Sequence, residues 1–183
     1  MIHLEIEKFG VTEVTAASCW DDNCGIDRLY SPFLMLDGKP NTFYASKQLS
    51  SRQGPLWIQL ELHNLEIVSE VRITNRNEDC CADSLSQVEF RVAMDKITDS
   101  DSNQEQIAKL KKGNLCRKLH GKIDKGITYV ALCNQPFPGR YVTIEIQDQS
   151  VYVINIAEVE VYGRRTSQGI LHIESLNKLN ALY

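Results

Sequence analysis

The chain has 183 residues, a length that suits a single domain with a substantial hydrophobic core. Its formal net charge of -4 and isoelectric point near 5.6 argue against nucleic acid or an anionic membrane as the main partner. No apolar run reaches the length of a membrane span. Residues 1–5 lack the basic-then-apolar pattern of a signal peptide, so we expect that any secretion signal has been removed.

The predicted elements are strands separated by turns. Residues 3–14 predict a first strand or an extended lead-in, residues 16–30 a surface turn, and residues 34–41 a short apolar run that ends in a Gly/Pro turn. Apolar and polar side chains then alternate in five segments: 57–62, 71–74, 88–92, 142–146 and 157–161. Strands with one apolar and one polar face are typical of an all-β fold, here a β-sandwich.

Two segments depart from this pattern. Residues Asp95 to Gly113 are polar and charged, which predicts a long mobile loop, although residues 107–110 suit a helical turn. Leu176, Leu179 and Leu182 recur at helical spacing near the end of the chain. We therefore expect a domain over residues 1–163, and a tail over 164–183 that is a linker, a short helix or the start of a neighbouring domain.

Six cysteines fall into three pairs along the chain. The pairs are Cys19 with Cys24, Cys80 with Cys81, and Cys116 with Cys133. Pairing in this order leaves no free thiol, which indicates an oxidising compartment and hence a secreted or cell-surface protein. A zinc site is the alternative, but the first pair has no second close pair to match it.

The segment Asn75–Cys81 follows a predicted strand and combines charged residues with adjacent cysteines. If Cys80 and Cys81 bond to each other, their Cα atoms lie about 3.8 Å apart, below the usual disulfide range, and the loop is stiff. Such a loop beside Arg76, Glu78 and Asp79 suggests a small recognition surface. The alternative is that both cysteines bond to distant partners.

No catalytic motif is present, and we predict that the protein is not an enzyme. The four histidines are scattered without metal-ligand spacing, and there is no nucleophile elbow and no Gly-rich phosphate loop. Two acids have the right chemistry for a hard cation, since Ca²⁺ prefers carboxylate and carbonyl oxygens. Asp37 lies in the Gly/Pro turn, and Glu158 is predicted on the outward face of a late strand.

Six segments together carry a family pattern. They are Leu36–Gly38 followed by Phe43-Tyr44, then Trp57–Leu60, Val71–Cys81, Cys133–Thr143 and Ala157–Val161. From about residue 14 to 163 the chain resembles the F-type lectins, or fucolectins. The Asn-Arg…Asp-Cys-Cys element is the specific one. The strands alone would indicate only the wider discoidin and coagulation-factor C-type group of galactose-binding-like sandwiches.

This resemblance implies a jelly-roll β-sandwich whose loops at one end bind fucose. It implies that a Cys80–Cys81 disulfide packs against the sugar, and that a structural calcium ion is held nearby by Asp37 and Glu158. The Cys116–Cys133 pair matches a family bridge, whereas Cys19–Cys24 looks like an addition.

The sugar-binding pattern of the family is incomplete in this chain. Arg76 and Asp79 match its arginine and aspartate, with one residue more between them than in the family. The expected histidine is absent from residues 49–51, and the expected second basic residue is Ser84. Each lost charge-assisted hydrogen bond costs about 1.5–3 kcal/mol, so two remove roughly two to four decades of affinity. Arg52, in the loop of the missing histidine, is a candidate replacement donor.

Two functions are consistent with this pattern. The first is an extracellular module that binds an altered glycan. Arg76, Glu78 and Asp79 would supply hydrogen bonds, and Cys80–Cys81 with Phe43 or Tyr44 would supply the apolar contact. The alternative is a protein–protein interaction domain of a secreted or cell-surface protein that has lost sugar binding.

Membrane lipid is a weaker candidate partner. Trp20 is suited to be an exposed apolar spike at a loop tip, but Asp21 and Asp22 beside it would be repelled by anionic lipid.

Overall fold

The strands form one antiparallel β-sandwich, as the alternating pattern and the family resemblance predict. A computed structural model describes residues 6–19, 29–48, 56–78, 84–98 and 100–166. Within these ranges the strands are β1 (Glu7–Lys8), β2 (Val11–Ala16), β3 (Tyr44–Ala45), β4 (Leu56–Thr74), β5 (Val88–Ala93), β6 (Asn114–Lys118), β7 (Thr128–Ile146), β8 (Asn155–Ile156) and β9 (Glu158–Arg165). A 3₁₀ helix spans Pro32–Leu36 and one α-helix, α1, spans Asn103–Lys112. The helix expected near the C-terminus lies outside the described residues.

Strands β4 and β7, of 19 residues each, pass through both layers of the sandwich. The first half of β4 pairs with β2 and with the end of β7, in the layer that also contains β5 and β6. The second half of β4 pairs with β9 and with the start of β7, in the layer that also contains β1. The strand changes layers where its pairing register shifts, between Glu61 and Glu66.

The hydrophobic core lies between the two layers. Ile58, Leu60 and Leu62 alternate along β4 and are fully buried, and Val71 and Ile73 face the same core further along the strand. Side chains of β5, β7 and β9 complete it: Val88, Phe90, Val92, Val142, Ile144, Ile146, Val159 and Val161. Burial of one face imposes the period of two that the sequence shows.

The prediction of a loop over residues 95–113 is wrong, because helix α1 occupies most of it. Its N-terminus has a capping box, in which Ser102 Oγ accepts from the Glu105 amide and the Glu105 carboxylate accepts from the Ser102 amide at 2.8 Å. Leu110 is buried against Trp57 and Ile97, so the helix covers the outer face of one layer. In the described ranges no helix is long and apolar enough to cross a membrane.

One predicted disulfide is confirmed. Cys116 of β6 bonds to Cys133 of β7. Cys19 is also disulfide-bonded. Because Cys24, Cys80 and Cys81 lie outside the described residues, the pairings proposed for them remain predictions.

Replacing Leu110 with alanine is expected to lower the free energy of unfolding by about 2 kcal/mol, since it removes the apolar contact of α1 with Trp57. Urea unfolding followed by tryptophan fluorescence measures the change. Lys111→Ala, at an exposed neighbouring position of the same helix, is the control and should have little effect. Equal destabilisation by both variants would contradict this role for Leu110.

Candidate functional site at the loop end

The end of β4, the start of β9 and the loop before β3 meet at one end of the sandwich. Thr74, the last residue of β4, is paired with Glu158, the first residue of β9. The loop after β4 brings Arg76 onto Phe43, and the turn after the 3₁₀ helix brings Asp37 to Glu158. The structure therefore gathers at one end those predicted site residues that it describes.

Arg76 stacks on an aromatic pair. Its guanidinium carbon lies 3.7 Å from the centroid of the Phe43 ring, and the Tyr30 ring stacks on Phe43 with centroids 4.8 Å apart. Phe43 also packs with Ala45 and Ala157 in a small apolar cluster. A cation over an aromatic ring contributes about 0.5–2 kcal/mol, depending on how far it is desolvated. The stack therefore fixes the direction in which the guanidinium points.

The donors of Arg76 are only partly used. Its Nη2 group forms an ion pair with Glu78, whose side chain is 58% exposed, whereas that of Arg76 is only 12% exposed. Arg76 Nε is buried and has no hydrogen-bond partner among the described residues. A buried donor without an acceptor is costly, and an oxygen of a bound ligand is one group that would satisfy it.

The backbone around Arg76 is held by the loop that precedes β7. The side-chain amide of Asn75 donates to the Ile123 carbonyl at 2.7 Å, and the Gly126 amide donates to the Arg76 carbonyl at 3.1 Å. Gly126 has a φ of 68°, and a Cβ there would lie 2.6 Å from Asn77 Oδ1. The backbone conformation therefore favours glycine at this position, and the two hydrogen bonds hold the Arg76 loop in place.

The expectation that Tyr44 contacts a ligand is wrong. Tyr44 is fully buried in the core, and its hydroxyl donates to the Ser18 carbonyl at 2.5 Å. Burial raises the pKa of Tyr44 well above its usual value. Of the adjacent aromatic residues, only Phe43 faces the site.

Ser84, which stands where the family has a second basic residue, serves the fold. It is buried, and its hydroxyl accepts from the Asn155 amide at 3.1 Å and donates to the Asn155 carbonyl at 3.3 Å. It thus holds β8 in place and is not available to a ligand. The sequence showed only that Ser84 lacks the charge found in the family, not that it is a structural residue. Tyr30 was not predicted as part of the site, because no local sequence pattern marks it.

Four predicted residues of the ligand site are not tested by this structure. Arg52, Asp79, Cys80 and Cys81 lie outside the described ranges. Their proposed roles remain predictions.

Asp37 and Glu158 form a pair of carboxylates beside the stack. Asp37 accepts from the Thr42 hydroxyl and from the Lys39 amide, each at 2.9 Å. Glu158 is partly buried, so it is not the ordinary surface acid that its position suggested. Burial and then the nearby Asp37 carboxylate raise the pKa of Glu158, while the backbone amides of Lys39 and Gly38 act in the opposite direction.

The chemistry of this pair fits a hard cation. Glu158 Oε1 is buried and accepts no hydrogen bond from the described residues. A divalent cation between the carboxylates would satisfy that oxygen and remove the repulsion that raises the Glu158 pKa. No group of three or more acidic, histidine or cysteine side chains suited to a metal occurs among the described residues. The remaining ligands would therefore be carbonyl oxygens or water.

Comparison with known proteins agrees with this geometry. The family model described as F5/8 type C domain matches residues 13–159. Fucolectin from Anguilla anguilla is 27% identical over 121 residues, which cover 66% of this chain and 68% of that protein.

Two solved structures show the same fold. A fucolectin from the serum of Morone saxatilis (striped bass) aligns with a TM-score of 0.61 and 22% identity, over 84% of this chain and 47% of that one. The family 32 CBM from C. perfringens NanJ, in complex with galactose, aligns with a TM-score of 0.60 and 16% identity, over 82% of this chain and 93% of that one.

A jelly-roll sandwich with its candidate ligand groups in the loops at one end defines the class of discoidin-like domains. The chain belongs to the F5/8 type C domain family. The resemblance to F-type lectins within this group is confirmed.

The raised pKa of Glu158 predicts how stability depends on pH in the absence of metal. The folded state keeps the proton of Glu158 to a higher pH than the unfolded chain does, because the pKa of Glu158 in the unfolded chain is near 4.5. Stability from this group is therefore present below pH 4.5 and is lost as the pH rises through the folded-state pKa. Urea unfolding in EDTA between pH 4 and 7 should show this loss, and Glu158→Gln should remove it.

Glu160→Gln is the control for this experiment. A hydrogen bond from Lys8 lowers the pKa of Glu160, so this group gives the opposite slope, with stability gained as the pH rises. If Glu158→Gln and Glu160→Gln change the pH profile in the same direction, the assignment to Glu158 is wrong.

Proposed function

We propose that this domain is a non-catalytic, extracellular recognition module that binds a glycan at the loop end of the sandwich. The observation that carries the proposal is the Arg76 guanidinium, held on Phe43 with a buried Nε donor that has no partner among the described residues. A ring hydroxyl is a suitable acceptor for it. The relatives support a sugar ligand, since they are named fucolectins or are a CBM in complex with galactose.

The ligand differs, in this proposal, from the one that the F-type lectin pattern implies. Glu78 occupies one edge of the Arg76 guanidinium, and Ser84 is committed to β8. The site thus keeps one of the family's cationic donors and gains an acidic acceptor, Glu78, that is largely exposed. These groups favour a sugar whose hydroxyls both donate to a carboxylate and accept from a guanidinium.

An extracellular location has two supports. The Cys116–Cys133 bridge and the bonded Cys19 suit an oxidising compartment. One of the similar structures is a lectin from serum.

We further propose that Asp37 and Glu158 hold a structural calcium ion. The support is the buried Oε1 of Glu158, which has no partner in the described part of the chain and lies next to the Asp37 carboxylate. Bound there, the ion would fix the turn after the 3₁₀ helix relative to the start of β9. Because that turn leads directly to Phe43, calcium would also stabilise the stack beneath Arg76.

A glycan array probed with calcium present tests the sugar proposal. We expect binding to a restricted set of glycans, reduced about tenfold to a hundredfold by Arg76→Ala, which removes a charge-assisted donor. Arg140→Ala is the matched control, since Arg140 is also ion-paired with a glutamate, Glu61, but lies in another part of the sandwich. A blank array, or equal loss in both variants, would contradict the proposal.

Thermal unfolding tests the calcium proposal separately. Calcium at a hundred times its dissociation constant should stabilise the protein by about 2.7 kcal/mol, and EDTA should reverse the effect. Asp37→Asn and Glu158→Gln should each abolish the response. Asp124→Asn, a substitution of an exposed acid in the loop before β7, should leave it intact. A calcium response that survives in Glu158→Gln would show that the ion binds elsewhere.

A protein ligand is the second candidate for the same loops. The Glu78–Arg76 ion pair favours a protein ligand, because a charged side chain of the partner could replace either member of the pair. Capture of the ligand from extracellular extract, before and after enzymatic deglycosylation, distinguishes the two. Binding that survives deglycosylation and is lost in Arg76→Ala would identify the ligand as protein.

A further inference from the structure

A cleft lies at the end of the sandwich opposite the loops that hold Arg76. It is formed where β4 changes layers, at the register shift between Glu61 and Glu66. Glu66 is eight residues before Thr74 along β4, which places it about 26 Å from the loop end. Register shifts of this kind turn side chains in new directions, and they are common beside binding sites.

The cleft encloses about 210 Å³. It is lined by Phe9, Gly10, His63, Asn64 and Glu66, with Lys8 and Arg165 also at its wall. This volume is below the roughly 300–1,000 Å³ of sites for drug-sized ligands, so one small ring is the largest group that suits it.

Glu66 distinguishes this cleft from an ordinary surface groove. It is only 5% exposed, yet its carboxylate makes no hydrogen bond or ion pair with any residue that the structure describes. Glu70 is equally buried but is paired with Arg72, and Glu89 is paired with Arg91. Burial of a carboxylate without a partner is costly. The cleft offers the space in which a partner can reach it.

The charges at the cleft wall limit the class of ligand. Lys8 is paired with Glu160 at 2.7 Å, and Arg165 is paired with Glu7 at 3.1 Å. With both cations neutralised, the carboxylate of Glu66 leaves the cleft acidic and unsuited to an anion. A neutral ring with neighbouring hydroxyl groups presents two donors to that carboxylate and also fills the cleft against Phe9.

We propose that this cleft is a second binding site and that it takes one neutral sugar ring. Two neighbouring ring hydroxyls would donate to the Glu66 carboxylate, which accepts at both oxygens. His63 and Asn64 supply further polar contacts at the rim. Phe9 supplies an apolar wall for the ring. Gly10 leaves open space beside it, since nothing lies within 4 Å of a Cβ placed at Gly10.

This proposal does not depend on the function proposed for the loop end. Two sugar sites at opposite ends of the sandwich would let one copy of the domain bridge two glycan chains. Each site can be removed by its own substitution, Glu66→Gln at the cleft and Arg76→Ala at the loops.

Amide NMR titration of the full chain with methyl glycosides of galactose, fucose, mannose and N-acetylglucosamine tests the proposal. At least one glycoside should shift the amide signals of Gly10, His63 and Asn64. Glu66→Gln should weaken this binding about tenfold or more, because it replaces a charged acceptor by a neutral one of the same shape. Lys111→Ala, at an exposed position of helix α1 and in neither proposed site, should leave the affinity measured at these amides unchanged.

Three results would overturn it. The first is that the amide signals of Gly10, His63 and Asn64 shift with none of the glycosides. The second is that they shift equally in Glu66→Gln, and the third is that they respond to methylammonium chloride instead. Thermal unfolding checks the variant itself, which should be about as stable as the parent because Glu66 forms no hydrogen bond or ion pair with a described residue. If Glu66→Gln does not fold, Asn64→Ala, at an exposed position of the rim, should weaken glycoside binding at the same amides.

Discussion

The pairing of β4 with β7 is the interaction on which the rest of the structure depends. Each strand belongs to both layers of the sandwich, so the layers cannot separate without loss of this long ladder. The apolar face of β4 supplies the core on both sides of its register shift. The same strand places Thr74, and with it the Arg76 loop, at one end and Glu66 at the other. Both ligand sites proposed for the domain are therefore positioned by one element.

At the loop end, charge and packing are combined in the same side chains. Arg76 is largely removed from water by Phe43 and held by Glu78, which lowers the conformational entropy that a ligand would have to restrict. Burial and the neighbouring Asp37 carboxylate both disfavour the charged form of Glu158, which is why its pKa is raised. The calcium ion proposed for this site would offset that repulsion.

The strands could be predicted because burial of one face imposes a simple period, and Ile58, Leu60 and Leu62 follow it. Helix α1 was missed because Leu110 is its only buried residue, although the Ser102-x-x-Glu105 capping box is a sequence signal of its N-terminus. Tyr44 was misplaced for another reason. Phe43 and Tyr44 are adjacent, and only one of them can face the core. The pairing of β3 with β8 determines which one does, and the sequence does not show that pairing.

The site was only partly predictable for related reasons. The family resemblance predicted that Asp37 and Glu158 lie close together, although they are 121 positions apart in the chain. Phe43 was expected as an apolar contact for a ligand, but its stacking with Arg76 and Tyr30 was not expected. Glu66 gave no signal, because it lies between two alternating segments and its burial follows from the register shift of β4.

The Cys116–Cys133 bridge has a consequence for association between molecules. Within the described residues, β6 is one edge strand of its layer, opposite β2, and the first half of β7 is one edge of the other layer, opposite β1. Exposed strand edges present unpaired backbone groups to which the edge of another chain can add. The Cys116–Cys133 bond links these two edges covalently and so restricts the movement of either edge away from the sandwich. Reduction of the bond would remove this restraint from both edges at once.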